Sequence, residues 1–222
     1  MLQEAMQLPE PARILLDLAS LRRRAEAHLL ANPPGVADAG LGPSDFDLNP
    51  DTAPRDGGSL TPAAVLVPVV ARERLTLLLT ERTQHLTTHA GQIAFPGGKI
   101  EPGDMGAAAA ALREAEEEIG LDPALVEPLG YLPPYRTGTG FVITPLVAIV
   151  SPRFTLRPDP AEVADVFEVP FDFLMNADNH RIDSRQWRGA ERQFYAMPFE
   201  QRYIWGATAG IIRALSRRLF PA

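Results

Sequence analysis

Three carboxylates, Glu114, Glu117 and Glu118, fall within the stretch Leu112-Arg113-Glu114-Ala115-Glu116-Glu117-Glu118-Ile119-Gly120. At about 100° per residue of an α-helix, Glu114 and Glu118 are i, i+4 neighbours and Glu117 lies i+3 from Glu114, while Glu116 points away. Ala108, Leu112, Ala115 and Ile119 share a narrow arc that reads as the packing face, with the carboxylates on the other side. Like charges at this spacing destabilise a helix, and near its C-terminus the macrodipole disfavours anions as well. Two local rules broken together point to a functional reason. A divalent cation supplies one, because oxygen-only ligands suit Mg²⁺ or Mn²⁺ held by carboxylates, substrate phosphates and water. A solvated acidic face steadied by Arg113 is the competing reading, and these residues alone leave both open.

The preceding segment favours the cation. Gly97 and Gly98 allow close backbone approach, and Lys99, the one lysine of the chain, can set a charge near a phosphate. A glycine turn leading into a helix with clustered carboxylates suits a metal-bridged diphosphate. No Gly-Lys-Ser/Thr occurs, so this is not a P-loop. His85 and His89 have the i, i+4 spacing of a helical zinc pair but lack the intervening glutamate and a third ligand. Ser59, Ser184 and Ser216 lack a nucleophile-elbow setting. With no cysteine, disulfides, thiolate metal sites and a cysteine nucleophile are excluded.

The elements that must position these residues follow from patterning. An amphipathic helix is predicted over residues 11–30, with Ile14, Leu15, Leu18, Leu21, Ala25 and Leu29 on its apolar side. Residues 32–61, rich in Pro, Gly and Asp, read as a long loop or linker. Residues 63–70 and 75–80 read as a hairpin, and 92–95 as a short strand before Pro96-Gly97-Gly98. The strongest helix is predicted at 105–119, with Asp104 as N-cap and Gly120 as its C-terminal stop. Further strands are expected at 142–150 and 163–169, and a last helix at 204–219 ending in Arg213, Arg217 and Arg218. The sum is one α/β sandwich with an N-terminal helix.

The run from Arg113 to Leu121 resembles the signature of the Nudix hydrolases, Arg-Glu-apolar-x-Glu-Glu-x-Gly-apolar. The resemblance implies an α/β (α+β) fold, a Nudix-like α/β/α sandwich with a mixed sheet, that hydrolyses nucleoside diphosphate derivatives with Mg²⁺ or Mn²⁺. Counting back from Arg113, the family's upstream glutamate falls on Met105 and its glycine on Lys99, so Asp104 and Gly98 sit one residue early. Leu78-Leu79-Thr80-Glu81-Arg82, His85-Leu86 and the run from His89 to Gly98 resemble an extra motif of the coenzyme A pyrophosphatase branch, with Thr83 and Thr87 departing from it. The stretches 129–141 and 203–210 are also similar to that branch, so the resemblance covers residues 65–219.

The resemblance implies Glu114 and Glu118 as metal ligands, Glu117 as a further ligand or water-orienting group, and Arg113 as the residue that holds a neighbouring carboxylate. Gly97, Gly98 and Lys99 would shape the diphosphate site. Glu162, before a β-like run, is the candidate for a carboxylate that joins the metal site or acts as base. Arg82 is the candidate for gripping the 3′-phosphate of coenzyme A, against a rival role as a salt bridge propping the loop 83–91. Residues 1–60 are expected to pack, as helix and linker, on a Nudix domain at 61–222. The expected reaction is hydrolysis of coenzyme A or acyl-CoA to 3′-phospho-AMP and (acyl-)4′-phosphopantetheine. ADP-ribose, NADH or capped RNA as substrate, or a nucleotide sensor without turnover, are the rivals. With 21 basic against 28 acidic residues and a net charge of -7, no nucleic-acid partner is expected. No stretch reaches the ~20 apolar residues of a membrane span, and no secretory signal is evident at the start. A cytoplasmic location is expected, with a homodimer left open.

Overall fold

The computed structural model describes residues 16–54, 60–86, 89–187 and 189–221. The β-branched, apolar run Thr61–Val70 forms β1, which turns back into β2 (Thr76–Arg82). The two pair antiparallel only at their shared end, Val69 with Leu77 and Val70 with Thr76. Beyond that, β1 pairs instead with the glycine strand β4 (Gly97–Lys99), which follows the short β3 (Ile93–Ala94). The helix α2 (Ala107–Ile119) comes next, then β5 (Val126–Tyr131), β6 (Tyr135–Arg136), β7 (Phe141–Val150) and β8 (Val163–Pro170). β7 lies parallel to β1 in unbroken register from Thr61↔Phe141 to Val70↔Val150, and β8 runs antiparallel to β2. The sheet is therefore mixed, in the order β3-β2-β1-β7-β5, with β4, β6 and β8 pairing β1, β7 and β2.

Each face of the sheet has its own core. On one, Ala110, Ala111, Ala115 and Ile119 of α2 pack on Ala64, Leu66, Leu78 and Leu146. On the other, Val67, Val69, Leu77, Leu79 and Val147 meet Leu21 of α1 (Leu18–His28) and Ile211, Ile212 and Leu215 of α4 (Gly206–Leu219). Helices on both faces of a mixed sheet make an α/β/α sandwich. Between β8 and α4 the chain forms the short helix α3 (Phe171–Met175) and a second, three-stranded antiparallel sheet of β9 (Arg181–Trp187), β10 (Ala190–Phe199) and β11 (Arg202–Trp205).

Several expectations need correction. The N-terminal helix starts at Leu18, capped by Asp17, whose Oδ1 accepts from the Ser20 amide at 2.7 Å; Ile14 and Leu15 lie outside the described residues. The segment 32–61 is not loop throughout, since it holds 3₁₀ turns at Val36–Gly40 and Pro50–Thr52; in it Asp45 accepts from the Tyr135 hydroxyl at 2.8 Å and Asn49 donates to the Gln193 carbonyl at 2.8 Å. Helix α2 begins after Gly106 without a side-chain cap, so Asp104 is not its N-cap. Gly120 does end the helix, in the left-handed conformation at φ 66°. Ile204 and Trp205 belong to β11 and not to the last helix.

Candidate active site

The buried side of α2 is not centred where the apolar spacing puts it. Ala107, Ala110, Ala111, Ala115 and Ile119 are buried, and so is Glu118, with 4% of its surface exposed. Ala108 and Leu112 are only partly buried. A carboxylate can sit inside this face because β4, opposite, presents Gly97 and Gly98. A Cβ on Gly98 would lie 2.5 Å from the Glu114 carboxyl carbon. Gly97 has φ 153°, and a Cβ there would meet the Ala64 carbonyl at 2.4 Å. The Gly97 amide donates to Glu118 Oε2 at 3.2 Å.

Glu118 also faces Arg82, whose Nη1 stands 3.4 Å from Glu118 Oε1. Burial pushes the Glu118 carboxyl up to about 7; the Gly97 amide and Arg82 oppose that shift, and the charges of Glu114 and Glu162 add to it. Burial likewise raises Glu114, with Arg113 pulling the other way and Glu117 and Glu162 adding to the rise. Glu162 is thus within electrostatic reach of both helix carboxylates while remaining exposed.

The loop that carries Glu162 is fixed to the helix end. The Arg157 and Asp159 amides donate to the Ile119 and Glu118 carbonyls at 2.8 and 2.9 Å, satisfying acceptors that a helix C-terminus leaves open. The Thr83 amide donates to the Glu162 carbonyl at 3.0 Å, and its hydroxyl to the Ala161 carbonyl at 3.2 Å. Thr83, a departure from the branch motif, is therefore part of what seats Glu162. Thr87 lies outside the described residues.

Arg113 is the hub of the outer side. Its Nε and Nη2 meet Asp104 at 3.0 and 3.1 Å, its Nη1 reaches Glu117 at 2.8 Å and Glu114 at 3.1 Å, and Nη2 donates to the Lys99 carbonyl at 3.3 Å. The guanidinium holds Asp104 below the usual carboxylate range. Asp104 thus anchors Arg113, a partnership that the one-residue offset of the glycine segment hides in the sequence. Glu117, 60% exposed, is drawn outward to Arg113. The Lys99 side chain is exposed.

Residues 84–85 and 89–91 form turns, so His85 and His89 are not one turn apart on a helix; His89 Nδ1 instead pairs with Gln92 Oε1 at 2.7 Å. Arg82 is brought to the site, with its Nη1 facing Glu118.

Among the described residues no three His, Cys, Asp or Glu side chains converge as a ready-made cation cage. The donor set nevertheless fits Mg²⁺ or Mn²⁺. Glu114 and Glu118 are both withdrawn from water and raised by burial, Glu118 also by the charge of Glu114, and Mg²⁺ ordinarily takes only one or two carboxylates and completes its shell with water and phosphate.

A hydrolase that acts on diphosphates needs anionic oxygens to hold a divalent cation, a backbone bare enough for close approach and a carboxylate open to water, and α2, β4 and the Glu162 loop supply these side by side. The chain belongs to the Nudix family: the NUDIX domain model matches residues 60–188. It is 44% identical over 157 residues to the uncharacterized Nudix hydrolase NudL of Escherichia coli (strain K12), covering 71% of this chain and 82% of that one. It is 43% identical over the same length and coverage to NudL of Shigella boydii serotype 18. Among solved structures, a MutT/nudix family protein from Enterococcus faecalis superposes over 91% of this chain and 74% of its own, at 16% identity and a TM-score of 0.44. The activity is accordingly that of a Nudix hydrolase on a nucleoside diphosphate derivative, in a family that generally uses Mg²⁺ or Mn²⁺. No helix among the described residues is long and apolar enough to cross a membrane.

Proposed function

We propose that the protein hydrolyses the diphosphate bond of coenzyme A or acyl-CoA, giving 3′-phospho-AMP and (acyl-)4′-phosphopantetheine. The observation that carries this reading is the segment from Leu78 to Gly98. It resembles the motif of the coenzyme A branch, apart from Thr83 and Thr87, and two of its residues, Arg82 and Gly97, both contact Glu118.

Glu114 and Glu118 are the proposed ligands of Mg²⁺ or Mn²⁺, with Glu117 contributing from the rim. When bound, the cation neutralises the diphosphate and lowers the cost of forming a hydroxide from water. Glu162, exposed and beside the carboxylate pair, is the proposed base that takes the proton of the attacking water. Arg82, already turned to this point, is proposed to move its guanidinium from Glu118 to a diphosphate oxygen, where a planar fork binds bidentately. Gly97 and Gly98 let that diphosphate approach the backbone, Lys99 adds charge at the edge, and Arg113 keeps Glu114 and Glu117 in place. Water adds to one phosphorus and the bridging oxygen leaves with the other, so the atoms balance with water as sole co-substrate.

The test is incubation of the purified protein with Mg²⁺ or Mn²⁺ and separate samples of CoA, acetyl-CoA, ADP-ribose, NADH and a dinucleoside polyphosphate, with products identified by mass. Preferential formation of 3′-phospho-AMP supports the reading. Faster cleavage of ADP-ribose or NADH replaces the substrate, and turnover of none of them replaces the enzyme by a nucleotide-binding module.

A further inference from the structure

β2 and β8 pair in regular antiparallel register from Thr76↔Pro170 to Glu81↔Asp165, and then slip by one residue so that Arg82 faces Val163. The irregularity lies between Glu81 and Arg82. A bulge of this kind re-aims side chains and is common beside active sites. Here the extra residue is Ala164 of β8, opposite the step from Glu81 to Arg82, the residue that turns to Glu118.

Side chains alternate across a strand, so Glu81 and Arg82 lie on opposite faces of the sheet. Arg82 is on the α2 side, with Leu78, while Glu81 is on the side of α4 and the small sheet, with Leu77 and Leu79. On that second side, Arg202 of β11 ion-pairs through Nη1 with Glu81 and through Nη2 with Asp165. Its guanidinium lies over the Phe167 ring, 4.2 Å from the centroid. One planar fork therefore joins the last matched pair before the slip, and an aromatic ring beneath fixes its plane. Arg202 and Glu81 are partly exposed, at 28% and 31%, while Asp165 is exposed, at 49%. Thr208, just past β11, donates to the Ile93 carbonyl at 2.9 Å and ties the same appendage to the next strand.

We propose that Arg202 is a positioning residue for the hydrolysis: by clamping Glu81 to Asp165 on one face of the sheet, it fixes the end of β2 against the bulged β8 and so holds Arg82 toward Glu118 on the other. It lies beyond residues 60–188, so the small sheet and not the matched segment supplies it. The proposal rests on the reading of Arg82 as a residue of the diphosphate site. A lysine cannot replace the clamp, since a single ammonium lacks the fork that spans two carboxylates.

The experiment is a double-mutant cycle of Arg202→Ala and Arg82→Ala, with Arg202→Lys beside it and Arg74→Ala as control. Arg74 makes a comparable ion pair with Asp172 at the other end of β2. Displacing a group by about 1 Å can cost about 100-fold in rate, so Arg202→Ala should lower kcat about 10- to 100-fold, with KM changed less than kcat. In the Arg82→Ala background the same change should cost less than about twofold, because interacting residues are not additive. Arg202→Lys should fall between wild type and alanine, and it keeps the test open should the alanine variant fold poorly. In the metal-free protein, the ¹⁵N amide signal of Gly97 and the exchange protection of the Arg82 amide should change in both Arg202 variants and not in Arg74→Ala. Additive losses in the cycle, or an unmoved Gly97 signal in a folded Arg202→Ala protein, would overturn the proposal. If the wild type hydrolyses no diphosphate, the substrate reading fails, and the amide measurements still decide what Arg202 does.

Discussion

Gly98 stands so close to Glu114 that a Cβ on it would lie 2.5 Å from the carboxylate. Real Cβ contacts are never this short, so Gly98→Ala must displace the Glu114 side chain or the strand. Helix α2 is anchored independently by Ala110, Ala111, Ala115 and Ile119, and the fold should survive. The expected result is a loss of turnover of at least about tenfold, with a small cost in stability, because the atoms met are the free end of the Glu114 side chain. Chemical denaturation and steady-state kinetics on one preparation separate the two effects. An alanine variant with wild-type kcat would remove Glu114 from the machinery.

Glu118→Gln keeps the shape of the buried side chain and removes its charge. Turnover at saturating Mg²⁺ should drop by about 10³-fold or more, a loss typical of removing a transition-state charge interaction. The metal-free variant should be as stable as wild type, or more so, because the repulsion by Glu114 and Glu162 is gone. Calorimetric titration with Mn²⁺ checks the binding loss directly, and undiminished affinity would sink the assignment.

The same residue sets a pH dependence. In the folded, metal-free protein its carboxyl is pushed up to about 7 from an ordinary 4.5, so folding favours the protonated form. Its contribution to stability is full below the ordinary value and is lost as pH rises through the folded one, by up to ~3 kcal/mol at 1.36 kcal/mol per unit. The melting temperature with chelator present should therefore fall between about pH 4.5 and 7, and Glu118→Gln should flatten that fall. Cation binding needs the ionised form, so Mn²⁺ affinity should rise across the same interval with release of a proton.

Arg82→Ala should slow CoA and 3′-dephospho-CoA alike, by about 10- to 100-fold, because the side chain faces Glu118 and serves the diphosphate that both share. The comparison of the two substrates in wild type and variant is the measurement. Selective loss on CoA would return Arg82 to the 3′-phosphate.

Arg113→Lys keeps one charge where a guanidinium joins Asp104, Glu114, Glu117 and the Lys99 carbonyl. We expect a loss of about 1–2 kcal/mol in stability and a lower kcat, since an ammonium cannot hold this geometry. If Asp104→Asn shifts stability in the same direction, with no further loss in the double variant, the pair acts as one unit.

Much of this was legible in the residues. The hairpin into β2, the strand at β7, helix α2 and its glycine stop all follow from apolar spacing and turn chemistry. The buried face of α2 is not legible in this way, because a sequence reading turns carboxylates to solvent. Only the bare surface of Gly97 and Gly98 lets Glu118 turn inward, and that contact links residues 21 positions apart. Asp104 was read as a cap because its bond to Arg113 is non-local. The strands β9 to β11 left little signal, since Arg181, Asp183, Arg185 and Glu191 sit on largely exposed strands with no continuous apolar alternation. Arg202, read in one dimension, is simply one more arginine of a C-terminal region rich in them.

The split core also orders events in time. The sheet face formed by Val67, Val69, Leu77 and Leu79 is covered by Leu21 of α1 and by residues of β10, β11 and α4, which are made after the sheet's first strands. A chain emerging at about 5–20 residues per second leaves that face only partly covered for several seconds after β1 and β2 are complete. The β1–β7 ladder is also non-local, joining residues 80 positions apart, the kind of pairing that forms slowly. A chain cut at residue 188 would keep the family's matched segment and the helix with its glutamates, yet without Met197, Ile204, Ile211, Ile212 and Leu215 it would present a partly bared apolar sheet to the cell. Its fate would be aggregation or capture by a chaperone, not hydrolysis.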